Sequence, residues 1–395
     1  MKHWLEVKRK IRTPNICAIV CHFALILSLC ACSSPIFPSG IFSIKAYSKE
    51  PSIESTQKNN IKEDVENNFA AGAVITPENA DQLKIVNHIH TGSYAYCLEI
   101  SPDGRLLATG GLRNIKLWDM ASREALRTLD VPAYQVRSMA FTADGRMLIS
   151  GGNEDNTIRL WDTANGEALR TLEMPTNAVN DLAISPDGLV LAAVGHSTHT
   201  SGNTSWSGND DIVMLWDLDS GQLLRSIEPD IWNVSSIAFS PDGLKLAVGG
   251  YDGIGLWDTV SWERLHTLDT HTNNLTFSPD GRILASGGAS GEPYENVILW
   301  DTESGSSLRM LEGYDDAVMS LAFSPDGRLV VVSGWKGMVL WEVTSGKILN
   351  TFSFQPADES THLSTPLVWQ VAFSPDGRLL ASVDVNANLT LREIP

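Results

Sequence analysis

The sequence predicts an all-β protein of seven four-stranded antiparallel blades closed into one ring, and three observations carry that expectation. A five-residue turn motif recurs seven times, a strand ending in Trp-Asp recurs five times, and successive turn motifs lie 41, 43, 55, 38, 46 and 50 residues apart. Each interval holds four short strands with their turns, and four antiparallel strands make one blade of a propeller.

The turn motif stands at Ser101-Pro102-Asp103-Gly104, Thr142-Ala143-Asp144-Gly145, Ser185-Pro186-Asp187-Gly188 and Ser240-Pro241-Asp242-Gly243. It returns at Ser278-Pro279-Asp280-Gly281, Ser324-Pro325-Asp326-Gly327 and Ser374-Pro375-Asp376-Gly377, each copy preceded by Ile or Phe. Ser opens the turn, Pro presets the backbone at its second position, Asp suits the third and Gly supplies a left-handed exit, so each copy predicts a tight β-hairpin. Strand-like segments flank each hairpin, as in Ser138–Phe141 before one and Arg146–Ser150 after it.

The third strand of a repeat ends at Trp118-Asp119, Trp161-Asp162, Trp216-Asp217, Trp257-Asp258 or Trp300-Asp301, with Trp341-Glu342 as a near match. A turn and a fourth strand follow, such as Glu124–Leu129. Many segments are apolar on both faces, as in Val190–Val194, which suits a sheet covered by a neighbour on either side.

These motifs resemble the WD-repeat family, and the resemblance covers about residues 82 to 395. It implies a seven-bladed WD-repeat β-propeller and a protein-binding role without catalysis. Two departures from the family bear on stability. The glycine-histidine pair and the hydrogen-bond tetrad it belongs to are mostly missing, with His90 and His271 as loose candidates, so rigidity is expected from packing instead. In the last repeat Arg392-Glu393 replaces Trp-Asp, and the chain stops at Pro395 after three strands. An open edge of that kind invites aggregation. Asp81–Val86 matches the fourth-strand pattern and is expected to complete the last blade and close the ring.

The N-terminus reads as an address. Lys2, Lys8, Arg9, Lys10 and Arg12 precede a nearly unbroken apolar run from Ile16 to Leu29. That run is shorter than the roughly 20 residues of a membrane-spanning helix and has the layout of an export signal. It ends Leu29-Cys30-Ala31-Cys32, which resembles the lipobox of bacterial lipoproteins; the resemblance implies lipidation of Cys32, with Cys30 in a place where the family has a small residue. The alternative is an ordinary cleaved signal and a secreted product. Residues 1–31 are thus read as signal peptide, 32–75 as a flexible tether rich in Pro, Ser, Asn, Lys and Glu, and 76–395 as propeller. A coil of that length spans on the order of 35 Å, enough to hold a folded domain clear of a membrane surface.

Composition narrows the function. The chain of 395 residues is 43% hydrophobic and 19% charged, with a formal net charge of -18 that becomes about -22 without residues 1–31. Such a surface repels phosphate backbones, and no compact basic patch offsets it, so nucleic acid is not expected as a partner. Of five cysteines only Cys97 lies beyond residue 32, which excludes a disulfide framework there. No nucleophile elbow, phosphate-cradling glycine loop, HExxH motif or thiol beside a histidine is present, so an enzyme and a cofactor are not expected.

Connections from a fourth strand to the next blade share one face with the turns between second and third strands. Long loops at His196–Asp211, Ser290–Glu295 and Ser353–Pro366 therefore converge, and loops on a rigid scaffold commonly carry binding. Tyr94, Tyr134, Trp232, His271, Asp316 and Trp369 are expected near the inner rim of that face, with His196, Trp206 and Tyr294 in the long loops. Aromatic side chains anchor protein interfaces well, although the same residues could equally fill gaps between blades. A metal site among His196, His199, Asp210 and Asp211 has weak support from spacing, since a loop so rich in Ser, Thr and Gly is ordinarily solvated.

The expected function is a lipid-anchored extracytoplasmic scaffold in a bacterial cell envelope, monomeric, with other envelope or extracellular proteins as partners. A lectin-like or small-ligand receptor is the alternative, and an extracytoplasmic hydrolase a third.

Overall fold

The computed structural model describes residues 72–395 except 155, 196–199, 202–203, 206–210, 289–296 and 353–366. The expected signal peptide with Cys32, most of the expected tether, and His196, Trp206 and Tyr294 lie outside the described residues. Seven sheets of four antiparallel strands follow one another along the chain. In blade 1, Ala95–Ile100, Leu106–Gly111, Asn114–Asp119 and Ala125–Asp130 pair in chain order from inside to outside.

The turn chemistry is what the motif implies. In all seven hairpins the Ser or Thr hydroxyl donates to the Asp two residues on, over 2.5–2.7 Å. The motif glycine takes a left-handed φ, 71° at Gly104. That bond and the backbone N–H beyond the turn hold carboxyls such as Asp103, Asp144, Asp187, Asp242 and Asp280 below the ordinary carboxylate range. The aspartates of Trp-Asp do similar work one turn later, as when Asp119 accepts from the N–H of Ser122 at 2.7 Å.

The core lies between blades rather than within any one of them. Leu117, Leu129, Val136, Met139, Leu148 and Trp161 bury together between blades 1 and 2, and comparable clusters fill the other junctions. Second strands are buried on both faces, outer strands mostly exposed.

Packing is not the only source of rigidity, contrary to the expectation from the missing tetrad. Within blades 1, 2 and 5 the Trp indole N–H donates to a second-strand hydroxyl at 2.9 Å: Trp118 to Thr109, Trp161 to Ser150 and Trp300 to Ser286. Arg392 takes over in blade 7. It is 2% exposed, donates to Ser382 at 2.9 Å and lies 5.1 Å over the Phe352 ring. Its burial lowers its pKa to about 10. His90, an expected candidate for the tetrad, is exposed.

Between blades, side-chain bonds recur in two rings, bridging six junctions on the inside and four on the outside among the described residues. On the inside, the residue four before each turn Ser or Thr accepts from a backbone N–H of the following blade. Gln370 accepts from Leu98, Ser138 from Leu182, Asp181 from Ile237, Ser236 from Leu275, Asn274 from Leu321 and Ser320 from Val371, at 3.0–3.4 Å. The junction of blades 1 and 2 differs, because its residue at that position is Cys97, whose thiol lies 3.5 Å from the Val136 carbonyl. On the outside, Arg127, Arg170 and Arg309 each donate to main-chain carbonyls in the next blade's outer turn, and His266 is bonded to the Glu303 carbonyl at 2.9 Å. Each neutral bond of this type contributes about 1 kcal/mol, and those from Arg somewhat more.

Ring closure occurs in blade 7, with a change of register. The expected fourth strand at Asp81–Val86 instead begins with a 3-10 turn, Ala80–Gln82, and the strand itself runs Lys84–His90 against Asn388–Glu393. Ile85 faces Arg392 just as Ala125 faces Trp118, three residues later than sequence matching indicates. Burial explains the shift. Leu83 turns inward with Ile75 and Ala80 against Leu329 and Leu340 of blade 6, so it cannot stand on the exposed outer edge. Packed structure also starts earlier than residue 76, since Ala73 bridges Ile394 and the Ile75 N–H donates to Gly377. An ion pair at 2.9 Å from Arg123 to Glu393, both largely buried, ties blade 1 to blade 7.

Candidate functional site

Antiparallel order within every blade puts the Ser/Thr-x-Asp-Gly hairpins and the turns after Trp-Asp on one face. The turns between second and third strands and the connections from blade to blade lie on the other. Of the residues singled out from sequence, the second face carries Tyr94, Tyr134, Trp232, His271, Asp316 and Trp369.

One group spans blades 7, 1 and 2. Tyr94 and Tyr134 are exposed, at 47% and 39%. Tyr94 lies 6.3 Å from Tyr96, which meets Trp369 edge-on at 5.4 Å. The Trp369 indole N–H is buried and has no hydrogen-bond acceptor among the described residues. Sequence reasoning missed Tyr96, although it occupies the position of Trp369, five before the turn Ser. A β-bulge at both residues re-aims their side chains.

The second group spans blades 4 and 5. Trp232 is 41% exposed and meets Tyr251 edge-on, with 4.8 Å between centroids and 78° between planes. Tyr251 lies 5.0 Å from His271, which is buried, and burial lowers the His271 pKa. Tyr251 was also missed, because it sits in a short turn whose composition, Gly-Tyr-Asp-Gly, reads only as a turn. Asp316 is brought to the same face, but it is buried. Its carboxylate accepts the N–H groups of Ala317 and Lys336, each at 2.8 Å, and so fastens two turns together.

Half-buried inner-strand residues border the channel. Two before the turn residue, the blades carry Glu99, Ala140, Ala183, Ala238, Thr276, Ala322 and Ala372. Glu99 is the one ionisable group of that tier. Burial, with the Asp181 charge as a smaller cause, pushes its carboxyl up to about 8. Asp181 itself is pushed up by burial, opposed by four hydrogen bonds that favour its charged form. Arg137, five before its turn residue, donates to Asn180 at 3.0 Å. A ring of aligned positions was the available signal for Glu99: one carboxylate among six small residues.

Seven segments, at residues 82–119, 123–162, 166–217, 221–255, 262–292, 305–341 and 350–391, match the WD domain, G-beta repeat. The chain belongs to that family. Over 155 residues this WD propeller is also 25% identical to autophagy-related protein 16 of Arabidopsis thaliana. That match covers 38% of the chain and 30% of the plant protein, so the chain spans under a third of its relative. WD propellers serve as scaffolds for protein interactions, and a rigid ring presenting two exposed aromatic groups on one face has the form such a scaffold requires.

Proposed function

We propose that this WD propeller is a non-catalytic binding platform in a bacterial cell envelope, tethered to a membrane by a lipid on Cys32, with other envelope or extracellular proteins as partners. The observation that carries the platform is the pairing of Tyr94, Tyr134 and Trp232, exposed on one face, with the two bonded rings that keep the blades from shifting. Rigid aromatics lose little entropy on contact and anchor interfaces. The lipid anchor rests on the sequence Leu29-Cys30-Ala31-Cys32 behind a basic and then apolar segment. Several acyl chains at roughly 0.8 kcal/mol per buried methylene make such anchoring stable.

Two experiments test this reading. Mass spectrometry of the N-terminal peptide should find acylated Cys32, lost in Cys32→Ser; an unmodified peptide beginning elsewhere would remove the anchor. Crosslinked affinity capture from solubilised envelopes should recover a protein partner with the native chain and lose it with Tyr94→Ala/Trp232→Ala. A small-ligand receptor is the second reading, favoured by the buried Trp369 N–H, which has no acceptor among the described residues. Glycan arrays separate the two.

A further inference from the structure

The two aromatic groups differ in charge. The segments around Trp232 and Tyr251, residues 228–235, 250–253 and 269–273, hold Glu228, Asp230, Asp252 and Asp269 and no Lys or Arg. Arg264 reaches them at the Pro229 carbonyl, with its guanidinium stacked 4.9 Å over Trp257. Across the channel the Tyr94 group has Lys116 beside it, donating to the Thr91 carbonyl at 2.5 Å, and Arg137 on the adjoining inner strand.

The Trp232 loop is also firmly set. Trp232 N–H donates to Asp252 at 2.7 Å, Asn233 N–H to Asp211 at 2.6 Å, and Tyr251 N–H to the Trp232 carbonyl at 2.8 Å. A large ring held at the surface among carboxylates attracts cations twice over, through its quadrupole and through their charge.

We propose that the surface centred on Trp232 and Tyr251 docks a cationic segment of the protein partner, with an arginine or lysine side chain over the Trp232 ring and neighbouring cations paired to Asp230 and Asp269. This rests on the platform reading and adds the chemistry of the partner.

The test uses the full-length protein in detergent, titrated calorimetrically with hexa-arginine, hexa-lysine and hexa-glutamate peptides at two salt concentrations. Hexa-arginine should bind and hexa-glutamate should not. Trp232→Ala should weaken binding about tenfold while Trp232→Phe largely retains it, which separates loss of the ring from loss of the fold. Asp230→Asn/Asp269→Asn should weaken binding and flatten its salt dependence, whereas Asp219→Asn/Glu263→Gln on the opposite face should leave it unchanged. Equal weakening by both carboxylate pairs, with no effect of Trp232→Ala, would reduce the attraction to net charge and overturn the site. Capture of a partner that needs Trp232, without hexa-arginine binding, would overturn the cationic partner and leave the platform standing.

Discussion

Replacing Glu99 with Gln should make the protein more stable, and increasingly so as pH rises to about 8. The Glu99 carboxyl goes from an ordinary value of 4.5 to about 8 in the folded ring, so the folded state keeps a proton that the unfolded chain releases. Between those two values the unfolded state binds fewer protons, and stability falls with rising pH by at most about 1.4 kcal/mol per unit. The full interval sets a ceiling of about 5 kcal/mol, and since Glu99 borders the channel and is only partly shielded, about 2–4 kcal/mol is the expected loss at pH 9 relative to pH 5. Glu99→Gln keeps the shape and removes the titration. Urea unfolding of both proteins, followed by tryptophan fluorescence from pH 5 to 9, should give curves that nearly coincide at pH 5, separate up to about pH 8 and keep a constant gap above it. Asp181, also pushed up by burial, titrates in both proteins and adds a slope common to them. Curves that stay parallel across the range would refute the assignment of Glu99 as a carboxyl held neutral by burial.

Other expectations concern the scaffold. Deleting Ile85–His90 should abolish cooperative thermal unfolding and expose the edge at Asn388–Glu393, whereas an unchanged transition would show that closure does not depend on that strand. Arg392→Ala should cost about 2–4 kcal/mol in urea unfolding by emptying a buried site and orphaning Ser382, while Arg392→Trp should recover much of that by restoring the pair used in blades 1, 2 and 5. Ser150→Ala should cost about 1–2 kcal/mol because it strands the buried Trp161 N–H. Asp103, Asp144, Asp187, Asp242 and Asp280 have depressed folded values, so their contribution is complete above the ordinary carboxylate range and disappears as pH falls through those values. The urea midpoint should therefore drop below about pH 4, and Asp→Asn in two or more hairpins should blunt that drop.

Most of the ring was legible because its hairpins depend on local chemistry that four residues state completely. Ser240-Pro241-Asp242-Gly243 forms the same bond wherever it stands. The closing strand was legible in kind but not in register, since Leu83-x-x-Val86 and Val86-x-x-Ile89 both fit the spacing of Leu126 and Leu129, and only the burial of Leu83 against blade 6 decides between them. The inner bonded ring escaped notice because Gln370, Ser138, Asp181, Ser236, Asn274 and Ser320 are spread over four residue types. What they share is an acceptor atom at one position, which becomes meaningful once the next blade's N–H is beside it. Exposure around the rim was the least legible: Trp232 and Asp316 hold equivalent places in their connections, yet one stands out in solvent and the other fastens turns.

The outer ring of bonds has an evolutionary corollary. Arg127, Arg170, His266 and Arg309 grip carbonyl oxygens, and every residue type supplies those. Ala164, Asp219, Glu303 and Thr344, whose carbonyls are gripped, can therefore change type while the clasp survives, provided the neighbouring Asp or Glu still holds the shape of each turn.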